Sequence, residues 1–173
     1  MTQKIDFSTL STKDTLDLAI LVEEEAKERY QEFVDQMITH HNREAADFFR
    51  KMSGIEAKHA AVLLQQRQIL FRNSPSCMKR SMLWDVEAPD YDQTRAFMTV
   101  RQAMETALQA EIKAFDFYED AQQHIAEHTV KRLFQDLRDQ EAKHQDYVRN
   151  EMAKLPPDSG LDPEAFADEP TAQ

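Results

Sequence analysis

Four glutamates and two histidines interrupt stripes of apolar residues that recur every three or four positions along the chain. These residues are Glu23, Glu56, His59, Glu111, Glu141 and His144. Each lies near the middle of its stripe, so we expect all six to meet in one layer of a helical core. A buried carboxylate without a compensating charge is costly, and neither lysine nor arginine lies nearby on these stripes. The pattern therefore predicts a pair of divalent metal ions with carboxylate and imidazole ligands.

The two halves of the chain repeat this arrangement. The tetrapeptide EAKH occurs at Glu56–His59 and again at Glu141–His144, and its glutamate and histidine lie one helical turn apart, so both can contact the same ion. The pattern E-x6-Y occurs at Glu23–Tyr30 and at Glu111–Tyr118. We therefore expect two equivalent hairpins that supply similar ligands to two metals. The alternative is a buried, protonated polar network without metal.

Two tyrosines, Tyr30 and Tyr118, lie two helical turns after the glutamates of this pattern. Each hydroxyl could hydrogen-bond a ligand carboxylate or pass an electron, and we predict that both take part in catalysis. As large amphipathic residues, the two tyrosines would equally suit the packing of the core.

Four long segments carry the apolar stripes, with almost no glycine or proline inside them, which is typical of amphipathic helices. We predict helices over residues 12–40, 43–72, 93–125 and 129–155. The first two helices are joined by a few residues, as are the last two, so each pair must form an antiparallel hairpin. Residues 73–92 can travel the whole length of a helix. The predicted fold class is all-α: a ferritin-like four-helix bundle of two antiparallel hairpins joined by a long crossover between the second and third helix.

The composition bounds the domain organisation and excludes several kinds of site. A chain of 173 residues fits one globular domain, which we assign to residues 1–155, followed by an acidic, proline-rich and flexible tail over residues 156–173. Two glycines are too few for the glycine-rich loops that bind nucleotide phosphates. Cys77 is the only cysteine, which excludes an internal disulfide or a cysteine-built metal site and favours a reducing compartment.

The charge balance bears on partners and location. The formal net charge of −11 repels phosphate backbones and anionic lipids, and we find no sizeable basic patch, so we expect neither a nucleic-acid nor a membrane partner. The N-terminal residues lack the pattern of a secretory signal, and no apolar run approaches the length that spans a bilayer. We therefore expect a cytoplasmic protein.

The motifs together resemble the rubrerythrin branch of the ferritin-like superfamily. The resemblance rests on EEEAKERY at Glu23–Tyr30, IEAKH at Ile55–His59, AEIKAFDFY at Ala110–Tyr118 and QEAKH at Gln140–His144. It implies a non-haem di-iron centre in which Glu56 and Glu141 bridge the metals, with Glu23, Glu111, His59 and His144 as terminal ligands. It also implies an activity in the reduction of peroxide or the oxidation of ferrous iron.

The chain departs from that family in two places. Rubrerythrins usually carry a rubredoxin domain whose four cysteines hold an electron-transfer iron, whereas this sequence has Cys77 alone, so electrons would have to come from another protein. Rubrerythrins also tend to have a further carboxylate one turn after the third-helix ligand, at the place of Ala114. The chain resembles bacterioferritin equally in its six ligands, but the haem-ligating methionine of that family is replaced by Ala57, so we expect no haem.

The sequence thus predicts a di-iron oxidoreductase with a role in oxidative stress. It would reduce hydrogen peroxide or dioxygen with electrons from an external donor protein, and we expect a homo-oligomer. The ligand set allows manganese as well as iron. One alternative is a ferroxidase that stores or delivers iron in a multi-subunit assembly. Another is a di-metal oxygenase that acts on an organic substrate, with the crossover contributing to its pocket.

Overall fold

The computed structural model describes residues 6–82 and 99–156 of the chain, and these residues form an all-helical bundle without strands. Within these ranges the long helices are α1 (Thr12–Thr39), α2 (Arg43–Phe71), α3 (Val100–Gln122) and α4 (His128–Lys154). Two short 3-10 helices occur at Phe7–Thr9 and Arg80–Met82. No helix among the described residues is long and apolar enough to cross a membrane. The boundary at residue 155 stays a prediction, because residues 157–173 lie outside the described part of the chain.

Side-chain caps determine where the helices begin. The N-cap residues of the four helices are Ser11, Asn42, Thr99 and Glu127, and each accepts a hydrogen bond from a backbone N–H of the first turn. The predicted start of the third helix at Gln93 is wrong, because Thr99 and Gln102 form a capping box that starts α3 at Val100. Residues 93–98 lie outside the described part. The other helix ends fall within a few residues of their predicted positions.

The directions of the helices identify the topology. Glu23, early in α1, contacts Tyr118, late in α3, while Tyr30 further along α1 contacts Glu111 earlier in α3. Helices α1 and α3 are therefore antiparallel. Because α1 is also antiparallel to α2, helices α2 and α3 run parallel, and the chain between them must travel the length of the bundle. This confirms the predicted fold class of two hairpins with a long crossover.

The first part of the crossover runs along the outer side of α1. Lys13 at the start of α1 donates a hydrogen bond of 2.9 Å to the carbonyl oxygen of Pro75. Further along, the guanidinium of Arg80 forms two hydrogen bonds of 2.6 and 2.7 Å with the carboxylate of Glu28. These contacts lead the chain from the end of α2 towards the end of the bundle where α3 begins. Residues 83–98, the remainder of the crossover, lie outside the described part.

The core consists of two apolar clusters with the ionisable layer between them. The cluster at the N-terminal end of α1 includes Leu16, Ala19, Leu63, Tyr118 and Phe134. The cluster at its C-terminal end includes Tyr30, Phe33, Phe49, Met104 and Val148. Each large apolar side chain that is fully buried contributes about 1.5–3 kcal/mol, so the two clusters supply the stability that burial of the ionisable layer does not.

Candidate metal centre

The six predicted residues meet in the middle of the bundle. Helix α1 contributes Glu23 and α3 contributes Glu111, while α2 and α4 each contribute a glutamate and a histidine from the EAKH repeat. All six are buried, and the most accessible of them, His144, is 8% exposed. Their ligand atoms form two overlapping groups in which every atom lies within 4.8 Å of the others. The apolar stripes of the four helices therefore converge on one cluster of carboxylates and imidazoles.

The first group surrounds the imidazole of His59. Its Nδ1 atom lies 3.3 Å from Glu23 Oε2, 3.1 Å from Glu56 Oε2 and 3.3 Å from Glu141 Oε1. Three carboxylate oxygens from three different helices therefore face the same ring nitrogen.

The second group surrounds the imidazole of His144. Its Nδ1 atom lies 3.1 Å from Glu111 Oε2, 3.3 Å from Glu141 Oε2 and 3.6 Å from Glu56 Oε1. The ring is stacked parallel to that of His59, with centroids 5.3 Å apart and an interplanar angle of 9°. Glu56 belongs to both groups. Glu56 and Glu141 each turn one oxygen towards His59 and the other towards His144.

Several atoms of the cluster lack the hydrogen bonds that burial normally requires. Glu56 Oε1, Glu141 Oε1 and His59 Nδ1 are buried without a hydrogen-bond partner, although His59 Nδ1 lies only 3.3 Å from Glu141 Oε1. Buried polar groups are satisfied in nearly all proteins, so such atoms point to a missing partner. Carboxylate oxygen and imidazole nitrogen are suitable donors for divalent iron or manganese. The residues present therefore fit a pair of metal ions.

The carboxylates have strongly perturbed acidities in the absence of metal. Burial raises the pKa of Glu23 well above its ordinary value, and the negative charges of Glu56 and Glu141 raise it further. Burial also raises the pKa of Glu111 to about 8, although a hydrogen bond with His144 acts against it. Burial favours the neutral form of Glu141 too, but contacts with His144 and His59 outweigh it and lower the pKa of Glu141 to about 2.

The neighbouring carboxylates raise the pKa values of both imidazoles. Burial lowers the pKa of His59, but the carboxylates of Glu141, Glu23 and Glu56 outweigh burial and raise it to about 12. The pKa of His144 rises to about 10, because Glu111 and Glu141 likewise outweigh burial. Without metal both rings are therefore protonated at neutral pH and compensate part of the carboxylate charge. A bound metal would replace these protons, because an imidazole nitrogen must be deprotonated to ligate.

The two tyrosines connect the hairpins at the cluster. The hydroxyl of Tyr118 donates a hydrogen bond to Glu23 Oε1, and the hydroxyl of Tyr30 donates one to Glu111 Oε1. Both side chains are fully buried. Each tyrosine therefore binds the glutamate of the other half of the chain rather than the one in its own E-x6-Y pattern. Sequence spacing does not reveal this exchange.

One residue at the cluster was not singled out in the sequence. The amide oxygen of Gln140 lies 3.1 Å from His59 Nε2, the ring nitrogen that faces away from the carboxylates. A hydrogen bond at this position determines which ring nitrogen is free to bind a metal. The available signal was the residue before each EAKH repeat, which is Ile55 in one half and Gln140 in the other.

A narrow cavity of about 10 Å³ reaches the cluster between α1 and α3. Its walls are formed by Val22, Ala26, Ala110, Lys113 and Ala114, and its floor by Glu23, Glu56, Glu111 and Glu141. A volume of this size holds about one water molecule. Ala114 lines this cavity, and its methyl side chain adds no further carboxylate to the cluster.

Comparisons with known proteins agree with this geometry. The sequence model of the family described as Rubrerythrin matches residues 14–154. The crystal structure of an uncharacterized conserved protein from Magnetospirillum magnetotacticum MS-1 is 29% identical, with a TM-score of 0.74 over 88% of this chain and 100% of that chain. A hypothetical protein from Pyrococcus furiosus is 22% identical, with a TM-score of 0.61 over 83% of this chain and 89% of that one, and shares the fold. Comparison with curated proteins gives no match.

Proposed function

The chain belongs to the rubrerythrin family, and from this membership and the geometry of the cluster we propose that it is a non-haem di-iron oxidoreductase that reduces hydrogen peroxide or dioxygen. One observation carries the proposal: Glu56 and Glu141 each direct one oxygen to His59 and the other to His144. Carboxylates in that arrangement are suited to bridge two ions.

The six residues would hold the pair of irons in two similar halves. Glu23 and His59 Nδ1 would be the terminal ligands of one ion, and Glu111 and His144 Nδ1 those of the other. When bound, two ferrous ions supply the two electrons that, with two protons, convert one peroxide into two waters. The preference for iron over manganese comes from the family, because both metals accept these donors.

Small oxidants would approach the centre from the side of α1 and α3. The cavity there has alanines at both Ala26 and Ala114, and the carboxylates form its floor. The stacked rings of His59 and His144 do not line this cavity. A cavity of about 10 Å³ suits a molecule of the size of peroxide or dioxygen better than a bulky organic substrate.

The two tyrosines would take part by controlling the terminal carboxylates. Each hydroxyl holds one of these carboxylates from the neighbouring hairpin, and thereby limits its movement when the charge of the centre changes. Burial and the charge of Glu23 raise the pKa of Tyr118 well above its ordinary value, so that this phenol keeps its proton as a hydrogen-bond donor. A phenol in contact with a ligand is also suitably placed to pass an electron.

Electrons would come from a separate donor protein. The sequence contains one cysteine, and a four-cysteine iron site therefore cannot form from these residues. With a formal net charge of −11, the protein would favour a donor that presents a basic surface.

The test loads metal-free protein with two ferrous ions per chain under anaerobic conditions. The loaded protein is then mixed separately with hydrogen peroxide and with dioxygen, while the optical absorption of ferric iron is followed. Rapid oxidation by about one peroxide per centre supports the proposal. Continued uptake and oxidation of further iron with dioxygen would instead indicate a ferroxidase, and size-exclusion chromatography of the same sample would reveal a storage assembly.

A further inference from the structure

The two halves of the centre differ at the residue that precedes each EAKH repeat. In α2 this residue is Ile55, and in α4 it is Gln140. The repeat is otherwise identical, and in each copy the glutamate lies 3.1–3.3 Å from the Nδ1 atom of its own histidine. The two repeats therefore differ in the hydrogen bonds that this preceding residue can offer. The isoleucine side chain has no hydrogen-bonding group, whereas glutamine has both a donor and an acceptor.

Gln140 holds the ring of His59 in one orientation. The Nε2 atom of His59 donates to Gln140 Oε1 at 3.1 Å. The amide nitrogen of Gln140 in turn donates to the carbonyl oxygen of Asp136 at 3.4 Å, so the amide oxygen is directed at the histidine. With its proton on Nε2, a neutral ring presents the Nδ1 lone pair to the cluster. That Nδ1 is one of the buried atoms without a hydrogen-bond partner.

The ring of His144 has different partners. Among the described residues its hydrogen bond is made by Nδ1, which lies 3.1 Å from Glu111 Oε2, and Nε2 has no acceptor. In the described part of the chain the ring therefore lacks a neighbouring side chain that holds the proton on Nε2. This difference disfavours metal binding in this half relative to the other.

We propose that Gln140 is a positioning residue that makes the half formed by Glu23 and His59 the tighter metal site, so that the two ions bind in a fixed order. This inference rests on the proposed function, because it assumes that the six residues hold two ions. Hydrogen bonds to a ligating histidine typically change metal affinity by about 10–100-fold. We therefore expect the first ion to bind at least about tenfold more tightly than the second.

The test titrates metal-free protein with cobalt(II) chloride and measures both affinities by absorption and calorimetry. Wild-type protein should bind two ions in two resolved steps. Gln140→Leu should weaken the first step by about tenfold or more and bring the two affinities together. Gln140→Glu, which keeps an acceptor for His59 Nε2, should retain the order. Ile55→Gln is the matched gain of function, because it offers His144 an acceptor and should strengthen the second step.

Two further measurements locate the tighter ion and separate positioning from folding. His144→Ala should retain the tight step, whereas His59→Ala should retain the weak one. In proton NMR of the cobalt-loaded wild type, the Nε2 proton of His59 should give a shifted signal that exchanges slowly with solvent, and Gln140→Leu should lose it. Thermal unfolding of each metal-free variant checks that the fold is intact.

The possible failures are distinguishable. Two ions of equal affinity in wild-type protein would overturn the inference and leave the two-metal centre standing. The same holds if Gln140→Leu binds two ions with an unchanged ratio of affinities, or if His59→Ala retains the tight step. Failure of wild-type protein to bind any ion would overturn the proposed function, and the inference with it.

Discussion

Removal of the Tyr118 hydroxyl should destabilise the metal-free protein more than removal of a hydroxyl at the surface of the bundle. The substitution Tyr118→Phe leaves the ring in place, so no cavity forms in the cluster with Phe117 and Phe134. It deletes the hydrogen bond to Glu23, a residue that is 1% exposed and whose side chain cannot turn to water. The cost is therefore that of a buried carboxyl group without its donor.

The magnitude follows from this burial. A buried acceptor that loses its hydrogen-bond donor costs about 1–3 kcal/mol. We therefore expect Tyr118→Phe to lower the free energy of unfolding of metal-free protein by about 2 kcal/mol. The loss should be smaller in metal-loaded protein, because Glu23 would then have a metal ion as a further partner. Tyr30→Phe should behave in the same way through Glu111.

Urea unfolding, followed by circular dichroism, measures these differences. The matched control is Tyr147→Phe, which removes a hydroxyl at the surface that accepts a 3.2 Å hydrogen bond from Lys51. A surface change of this kind should alter the free energy of unfolding by less than about 0.5 kcal/mol. If Tyr118→Phe is as stable as the control in the metal-free state, the contact between Tyr118 and Glu23 does not stabilise the centre.

Three further predictions concern protons, metal and electrons. The folded-state pKa values of Glu111 (about 8) and His144 (about 10) are raised above their ordinary values, so the folded protein holds these protons more tightly than the unfolded chain. Metal-free protein should therefore lose stability as the pH rises from neutral to about 10, and metal-loaded protein should not. Equal pH profiles of the two forms in unfolding experiments would contradict this. Protein reconstituted with ferrous iron and desalted should retain about two ions per chain by metal analysis, and the Glu141→Gln variant should retain clearly fewer. Full retention of both ions by that variant would refute a bridging role of Glu141. Reduced protein should consume about one peroxide per centre and then stop until a reduced donor is added. The rate of turnover with the donor should fall as the salt concentration rises. Sustained turnover without a donor would indicate disproportionation of peroxide.

The sequence alone identified the helices and the six residues of the centre because both depend on local periodicity. An apolar spacing of three and four defines one helical face, and an ionisable residue such as Glu23 or Glu111 on that face must be buried wherever the helix packs. The EAKH repeat added the relation between the two halves. The start of α3 was also encoded locally, by Thr99 and Gln102, although the apolar pattern extended beyond it.

The contacts between helices were decided by the tertiary structure. Tyr30 and Tyr118 each contact a glutamate of the other hairpin, which depends on how α1 and α3 are aligned along the bundle. The spacing of residues within one helix does not determine that alignment. The same applies to Gln140, a residue on α4 that reaches a histidine on α2. The cavity between α1 and α3 depends on both helices at once. Periodicity assigns a side chain to a face, whereas its partner is determined by the rotation and offset of the neighbouring helix.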